Sequence, residues 1–457
     1  MTPTSRSRTV RPRTALMLTA LILVAVNLRL GVTSASALLT ALTDSGALTP
    51  LTVVIVPALP TAVFALAGVG TARVAARLGS ERTVLIGMIA LTVGLLIRAV
   101  PSPWVVVTGT VIATGGLAVV NILLPAVVRA HFGRSIGPVT TAYTTTMSLG
   151  AAIAAAVAVP VAGALGSPTL GRAAWALPAL VGLVAWFLVM PRRSTTSSAL
   201  GSGSDEPQSA TVSLMETAPV PVVGTAASRG GRTRIPAGTG LLSAYFALQA
   251  LLSYVAMGWL PTIAHDAGIP TARSGMLLGI TMAVGVPVTA IIVSLARGTR
   301  RMRTGFLVVA CSSTVALGGL LFAPAALPEL WAALLGVGMC AFPLVLALIA
   351  GFGDDAAEAA LVSTIVQSTG YSIATVGPLG AGAMRQFSGS WSAVLVVLIV
   401  CALLQGAIGL ALTRVVAAKR RRTLVPAGYA PESSGEGEPQ AAGSSTAPEP
   451  EPRSAEA

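Results

Sequence analysis

The stretch Ala15–Thr43 reads ALMLTALILVAVNLRLGVTSASALLTALT, and it decides the fold of the chain. It is apolar almost throughout, with Asn27 and Arg29 as its strongly polar residues. An α-helix rises about 1.5 Å per residue, so roughly 20 apolar residues cross the hydrocarbon of a membrane. Arg29 lies near the middle of this run, where an arginine costs about 2.5–3.5 kcal/mol to insert. We therefore expect Arg29 to face a partner or a water-filled cavity.

The composition extends the membrane interpretation to the whole chain. Of its 457 residues, 54% are hydrophobic and 10% are charged, whereas soluble domains carry roughly 25% charged residues. The net charge of +13 would indicate nucleic acid in a soluble domain, but here the positions of the arginines favour a membrane. The three cysteines lie in apolar runs without CxxC spacing, so we expect core residues and no disulfide. We expect no metal and no cofactor.

Twelve apolar spans predict an all-α membrane protein with twelve transmembrane helices in two pseudo-symmetric six-helix bundles. The first bundle covers residues 15–190 and the second covers residues 240–414. The spans are 15–43, 51–72, 83–100, 104–127, 136–161, 173–190, 240–262, 274–295, 304–323, 330–352, 360–383 and 391–413.

Three further segments flank these bundles. Residues 1–14 form a basic leader. Residues 191–239 are rich in Ser, Gly, Thr and Pro, which predicts a flexible linker. Residues 415–457 are rich in Pro, Glu, Ser and Ala beyond about Thr423, which predicts a disordered tail.

The basic residues predict the orientation of the spans. Twenty-four of the 29 fall in the leader, the even-numbered connections and the C-terminal segment, which all lie on one side of the membrane. Because cytoplasmic loops carry the excess of Lys and Arg, we expect both termini in the cytoplasm of a bacterium, with the spans in its inner membrane. Arg98, Arg172, Arg273 and Arg385 are predicted on the outer side.

An internal repeat relates the two halves. A shift of about 220–227 residues brings Asn27 onto Gln249, Gly116 onto Gly338 and Gly150 onto Gly370. Repeated halves with a site between them are a common transporter architecture.

The basic leader, the apolar run and the triplet Ala35-Ser36-Ala37 also imitate a cleaved signal peptide. Span one has a counterpart in span seven, however, and this favours its place in the mature fold.

Acidic residues and histidines are predicted outside the span interiors. Proton relays in membranes use Asp, Glu or His, and exporters of cationic drugs need a buried carboxylate. Both mechanisms are therefore disfavoured, and we expect the negative group opposite Arg29 to come from outside the span interiors. A small anionic substrate would match its planar guanidinium. The alternative is a structural Arg29 that donates to backbone carbonyls.

Large polar side chains recur inside the spans, and two interpretations of them stay open. They either hydrogen-bond a substrate or join neighbouring helices, as membrane helices do routinely. The residues are Asn27, Asn121, Gln249, Gln367 and Tyr371. Prolines predict bends in five of the spans. They are Pro57 and Pro60, Pro125, Pro287, Pro343 and Pro378.

The chain resembles the major facilitator superfamily, and within it the cyanate permease family that includes 2-nitroimidazole exporters. The likeness extends from about residue 15 to about residue 415 and leaves out the linker. In the first half it rests on Asn27-Leu28-Arg29, the segment Arg73–Arg82, Asn121-Ile-Leu-Leu-Pro125 and Tyr143-Thr144-Thr145. In the second half it rests on Gln249, Tyr254, Trp259-Leu260-Pro261 and Gln367-Ser-Thr-Gly370-Tyr371 through Gly377-Pro378.

The resemblance implies alternating access, in which two bundles rock around a central site. It also places Arg73, Arg77, Gly79 and Arg82 at a cytoplasmic gate. The superfamily motif G-x-x-x-D-R-x-G-R-R is only partly kept, because Ala72 and Ala76 replace its glycine and aspartate.

These observations predict a secondary transporter of a small organic anion, which is not an enzyme. We expect a monomer in the lipid bilayer that binds a small molecule and no nucleic acid. Arg29 would bind the negative group, with Tyr254 and Trp259 as walls. Hydrogen bonds to the rest of the substrate would come from Asn27, Asn121, Gln249, Gln367 and Tyr371, and the resemblance adds Tyr143. The alternatives are an exporter of neutral or weakly aromatic drugs and a membrane sensor without transport.

Overall fold

The computed structural model describes residues 12–132, 135–190, 235–294, 299–350, 352 and 356–424. Its regular elements in these ranges are helices, without a β-strand. In chain order they are α1 Pro12–Ala37, α2 Leu39–Asp44, α3 Pro50–Ile55, α4 Leu59–Leu78, α5 Ser80–Ile97, α6 Pro103–Phe132, α7 Ile136–Ala164, α8 Pro168–Ala173, α9 Ala176–Val189, α10 Thr239–Asp266, α11 Thr271–Ser294, α12 Thr299–Phe322, α13 Pro328–Met339, α14 Ala341–Ala350, α15 Ala356–Ser388 and α16 Ser392–Leu424.

Every predicted span lies on one of these helices or on two consecutive ones. Ten helical stretches of the described chain are long and apolar enough to cross a membrane. The predicted spans outside this set are 51–72, which α3 and α4 divide between them, and 360–383, which lies on α15. The all-α membrane fold is confirmed, and the count of twelve crossings stays a prediction.

Prolines account for three of the places where a span divides into two helices. A proline lacks an N–H, and its ring clashes with the carbonyl of the fourth residue before it. Counting back four residues from Pro60, Pro178 and Pro343 leads to the junctions of α3 with α4, α8 with α9, and α13 with α14. In contrast, α6, α11 and α15 continue through Pro125, Pro287 and Pro378.

The two halves of the chain repeat the same helix pairings, as the internal repeat predicts. In the first half α1 packs on α7 and α5 on α6, and in the second half α10 packs on α15 and α12 on α13. A Cβ on Gly116 of α6 would meet backbone atoms of α5, and a Cβ on Gly338 of α13 would meet Ser313 of α12. Likewise Gly150 lies against Val26 of α1, and Gly370 lies against Phe246 of α10. The two halves contact each other through α7 with α11, α4 with α15, and α1 with α10.

The helix order gives the bundle two ends, which we name by a residue at each. The Pro50 end holds Pro50, Thr262 and Gln386, whereas the Gly79 end holds Gly79 and the exposed residues Arg73, Arg77 and Arg82. The predicted connection between spans two and three is therefore mostly helical, because α4 runs to Leu78 and α5 starts at Ser80. Gly79 alone joins them, with a φ of 83° that favours glycine.

The distribution of side chains is that of a membrane protein. Large apolar side chains are exposed, among them Leu66, Phe187 and Phe322, while arginines are buried. Cys340 lies in the core as predicted, but Cys311 is exposed on α12. Since lipid is as apolar as a protein core, an apolar run does not show which of its faces points inward.

The predicted boundaries differ from the structure at the ends of the chain. The helix α16 continues to Leu424, so residues 415–424 are helical where a disordered tail is predicted. The physical reason is that Val415, Val416 and the following Ala, Lys and Arg residues continue a helix readily, and basic residues favour its C-terminus. Residues 1–11 of the predicted leader, 191–234 of the linker and 425–457 of the tail lie outside the described residues.

Candidate functional site

A pocket lies where α1 of the first half meets α10 of the second half. Arg29 of α1 lines it, and Tyr254 and Met257 of α10 lie opposite. The rest of the wall is mostly apolar and comes from both halves. These residues are Leu28, Val32, Pro60, Phe64, Ser253, Met339 and Phe342. A single cationic group thus faces an apolar pocket between the halves.

The guanidinium of Arg29 points across this pocket towards the second half. The side chain is only 9% exposed, and its Nη1 lies 4.0 Å from Sδ of Met257. The buried hydroxyl of Tyr254 lies within the electrostatic reach of Arg29 and has no hydrogen-bond partner among the described residues. A negatively charged group in the pocket would therefore meet a cation on one side and a hydroxyl donor on the other.

Two further pockets adjoin this one. The first contains Arg98 and shares Val32, Pro60, Tyr254 and Met257 with the Arg29 pocket. The second contains Gln249 and shares Ser253 and Met339 with it. The Arg98 cavity has walls from both halves, whereas the Gln249 cavity lies within the second half.

The predicted polar residues divide by location. Arg29 and Tyr254 share one pocket and Gln249 lines the next, so the structure brings these three together. The amide of Gln249 is engaged by protein, because it donates to Ser253 Oγ at 3.0 Å and to the Met339 carbonyl at 3.3 Å, and accepts from Gln405. The six other predicted residues do not line any of these three pockets.

Asn27 and Trp259 join helices within their own halves. Asn27 Nδ2 donates to the carbonyls of Leu23 at 2.7 Å and Pro178 at 3.0 Å, and so connects α1 to α9. Trp259 Nε1 donates to the Pro378 carbonyl at 2.9 Å and connects α10 to α15. The contacts of Asn27 match the interhelical interpretation that the sequence left open, whereas Trp259, which is predicted as a wall of the site, does not line the Arg29 pocket.

The remaining candidates are also buried in helix contacts. Gln367 donates to Ser363 Oγ at 2.7 Å, one turn away on α15. Tyr371 packs edge-on against Phe246, with ring centroids 5.2 Å apart, and lies behind the pocket residue Phe342. Asn121 and Tyr143 are buried on α6 and α7. Their roles in binding stay predictions.

Two arginines that the sequence placed on the outer side are buried instead. Arg98 follows α5 and Arg172 lies on α8, and each is 1% exposed. Their long stems carry the guanidinium inward from the helix end. The signal in the sequence was Arg98 itself, which interrupts the apolar run of span three near its end.

Glu81, which is buried, and His131, which is partly exposed, form a pair at the Gly79 end. Both are predicted in loops, yet both lie on helices, with His131 Nε2 2.9 Å from Glu81 Oε1. Trp186 Nε1 donates to the Glu81 carbonyl at 3.0 Å. The pair joins the start of α5 to the end of α6, and neither residue lines the Arg29 pocket.

The two halves are in contact at the Pro50 end. Thr40 of α2 donates to Thr262 of α10 at 3.4 Å, and the Gln386 amide of α15 donates to the Pro50 carbonyl. A Cβ on Gly382 of α15 would also meet Val54 of α3. These contacts join the two halves at the Pro50 end.

Comparison with known proteins gives consistent results. The sequence profile described as Major Facilitator Superfamily matches residues 17–378. The chain is 29% identical over 399 residues to the 2-nitroimidazole transporter of Escherichia coli (strain K12), covering 86% of this chain and 94% of that protein. It is 24% identical over 377 residues to the cyanate transport protein CynX of the same organism, covering 82% and 91%. The resemblance predicted from the sequence is confirmed.

Solved structures agree on the fold. A crystal structure of a mutant form of the peptide transporter POT superposes with a TM-score of 0.65 at 14% identity, covering 92% of this chain and 97% of that chain. At this identity the likeness concerns the fold alone.

Proposed function

Since the chain belongs to the major facilitator superfamily, we propose that it is a secondary transporter of a small organic anion, with Arg29 as the group that binds the negative charge. The observation that carries the proposal is the position of Arg29, which faces the second half across a mostly apolar pocket. In such surroundings a charge-assisted hydrogen bond to a carboxylate-like group is roughly twice as strong as a neutral one. The relative named for cyanate transport supports an anionic substrate.

The contacts at the Pro50 end support alternating access. For the Arg29 pocket to open on that side, Thr40 must separate from Thr262, and Gln386 must release the Pro50 carbonyl. Rocking of one half against the other would break both of these hydrogen bonds. We propose that Arg73, Arg77, Gly79 and Arg82 act at the opposite gate.

The arginine distribution supports the proposed orientation. The exposed Arg73, Arg77 and Arg82 lie at the Gly79 end, which we therefore propose to be the cytoplasmic end by the positive-inside rule. We propose both termini in the cytoplasm and the spans in a bacterial inner membrane. The proposed organisation keeps bundles of residues 15–190 and 240–414 around a linker of 191–239.

A second function is favoured by a different feature of the same pocket. Phe64, Tyr254, Met257 and Phe342 give it aromatic and thioether walls, which suit a neutral aromatic solute. The relative named for 2-nitroimidazole transport is in keeping with such a cargo. Under this alternative the protein exports neutral or weakly aromatic drugs, and Arg29 contributes little to binding.

The experiment combines a ligand screen with a charge substitution. Purified protein is screened by thermal shift against cyanate, other small anions and 2-nitroimidazole, and flux of each hit is then measured in proteoliposomes. Arg29→Gln is compared with Arg29→Lys and with Arg303→Gln, which alters an exposed arginine of α12. Removing one partner of a buried charge pair costs about 2–5 kcal/mol, which is roughly 30- to 4,000-fold in affinity.

The outcomes separate the candidates. The proposal requires anion binding and flux that fall by this factor in Arg29→Gln, recover in part in Arg29→Lys and persist in Arg303→Gln. Stabilisation by 2-nitroimidazole alone, with an unchanged affinity in Arg29→Gln, supports the drug exporter and overturns the anion proposal. Binding without flux identifies a sensor.

A further inference from the structure

Arg98 and Arg172 come together beside α6, near the Pro50 end of the first half. Arg98 Nη1 donates to the Gly31 carbonyl at 3.2 Å, and Arg172 Nη2 donates to Thr110 Oγ1 at 3.4 Å. A Cβ on Gly109 would lie 3.1 Å from Cγ of Arg98. The two side chains therefore cross α6 at consecutive residues, Gly109 and Thr110.

These contacts use only part of the hydrogen-bonding capacity of the two guanidinium groups. Arg98 Nε, Arg172 Nε and Arg172 Nη1 are buried and have no hydrogen-bond partner among the described residues. The three ion pairs formed within the described ranges involve His131, Arg273 and Arg385, so neither Arg98 nor Arg172 has a carboxylate. The two positive charges also repel each other.

Such an arrangement lacks a negative group. Buried charges in proteins are normally paired and hydrogen-bonded, because an isolated one is costly to remove from water. The backbone oxygen and the hydroxyl that contact these arginines carry no formal charge. An anion bound beside Arg98 would offset part of the positive charge of the pair and accept a hydrogen bond from the unused Nε of Arg98.

A cavity is present for such an anion. Arg98 lines it with Gly31 and Ser36 of α1 and with Thr110 and Thr114 of α6. It shares Tyr254 and Met257 with the Arg29 pocket. An anion beside Arg98 would thus lie one cavity away from Arg29.

We propose that Arg98, supported by the positive charge of the neighbouring Arg172, forms a second anion site that holds a small monovalent anion. The site rests on the geometry of α1, α5, α6 and α8. Its use as an intermediate binding site for the transported anion, between the Arg29 pocket and the Pro50 end, rests on the proposed function. The occupant is either a resident inorganic ion or the transported organic anion, since both present the same charge to the guanidinium groups.

Bromide is a suitable probe of the site because it is a monovalent anion whose position can be determined from its anomalous scattering. The full-length protein is purified in gluconate buffer and titrated with bromide at constant ionic strength, while its thermal unfolding is followed. We expect the unfolding temperature to rise and to saturate with bromide. The bromide concentration at half-saturation should be at least tenfold higher in Arg98→Gln and in Arg172→Gln. The response to bromide should be unchanged in Arg303→Gln, and it should persist in Arg29→Gln.

A second measurement keeps the test independent of how well the variants fold. Crystals of the wild-type protein soaked in bromide give an anomalous peak next to Arg98 and Arg172. If an organic anion from the thermal-shift screen displaces bromide, the transported anion is the occupant. If no such anion displaces it, the occupant is a resident inorganic ion. Either result supports the second anion site.

Three results overturn the inference. They are a bromide effect that does not saturate, a saturable effect that both glutamine variants retain, and an anomalous peak elsewhere. A bromide effect lost in Arg29→Gln but kept in Arg98→Gln places the anion at Arg29. That result supports the proposed function while it removes the second site.

Discussion

The two halves pair their helices alike, yet they bury different polar groups. Among the described residues, the buried charged side chains all belong to the first half and are Arg29, Glu81, Arg98 and Arg172. The second half buries the neutral amides of Gln249, Gln367 and Gln405, and its ion pairs are exposed. The repeat therefore preserves helix contacts and does not preserve charge.

The difference shows which features the fold requires and which the cargo requires. Close helix contacts need small residues at fixed positions, so Gly116 and Gly338 recur in both halves. A cationic site needs its charge on one side of the cavity only, and the proposed function assigns that side to the first half. In the second half, hydrogen bonds within the protein engage both the donor and the acceptor of the Gln249 amide. The predictions below test this division of roles.

The largest expected effect is on packing, from valine at the two matched glycines. In Gly116→Val the added atoms meet the backbone of α5 at Gly87 and Leu91, which cannot rotate away. In Gly338→Val they meet mainly the Ser313 side chain, which can. We expect a loss of about 3 kcal/mol or more for the first and about 1–3 kcal/mol for the second. Thermal unfolding in detergent measures both, and equal losses would show that the halves are equally tight.

The next effect tests the amides of the second half. Gln405→Leu removes the donor to Gln249, so a buried oxygen loses its partner at a cost of about 1–3 kcal/mol. The double change Gln249→Leu with Gln405→Leu should recover part of this loss, because both polar groups are then gone. Anion flux should persist in the double variant. A folded double variant without flux would place Gln249 in contact with substrate.

The helices were predictable from the sequence because run length and hydropathy define a membrane helix whatever its neighbours are. The repeat was predictable in the same way, since Gly150 and Gly370 had to be small for α1 and α10 to approach. Arg29 could be placed at a pocket because a charge at mid-span has few other uses.

The other polar residues could not be placed. Asn27 and Arg29 are two residues apart, so they point to different sides of α1, and only the packing shows which side meets α9 and which meets the pocket. Arg98 was missed because counting charges by connection treats an arginine at a helix end as solvated. Its side chain turns inward to reach Gly31.

A smaller effect separates the two candidate functions. Trp259→Phe removes the hydrogen bond from Nε1 to the Pro378 carbonyl and should cost about 0.5–1.5 kcal/mol of stability. The ring stays packed near Trp391, with centroids 5.4 Å apart in the native protein, so anion affinity should not change. Thermal unfolding and anion titration measure the two quantities on one sample. A lower affinity for 2-nitroimidazole with an unchanged anion affinity would favour the drug exporter.

The smallest effects concern the exposed ion pairs of the second half. Arg385 donates from Nε and Nη2 to Asp266 Oδ2 at 3.2 and 3.0 Å, but Trp391 Nε1 donates to the same oxygen at 2.8 Å. Because Trp391 still satisfies Asp266 in Arg385→Gln, we expect a loss below about 1 kcal/mol, reduced further by salt. Asp266→Asn should cost more, since it weakens both contacts at once. Thermal unfolding at low and high salt tests this order, and a loss in Arg385→Gln as large as that of Gln405→Leu would show that charge also stabilises the second half.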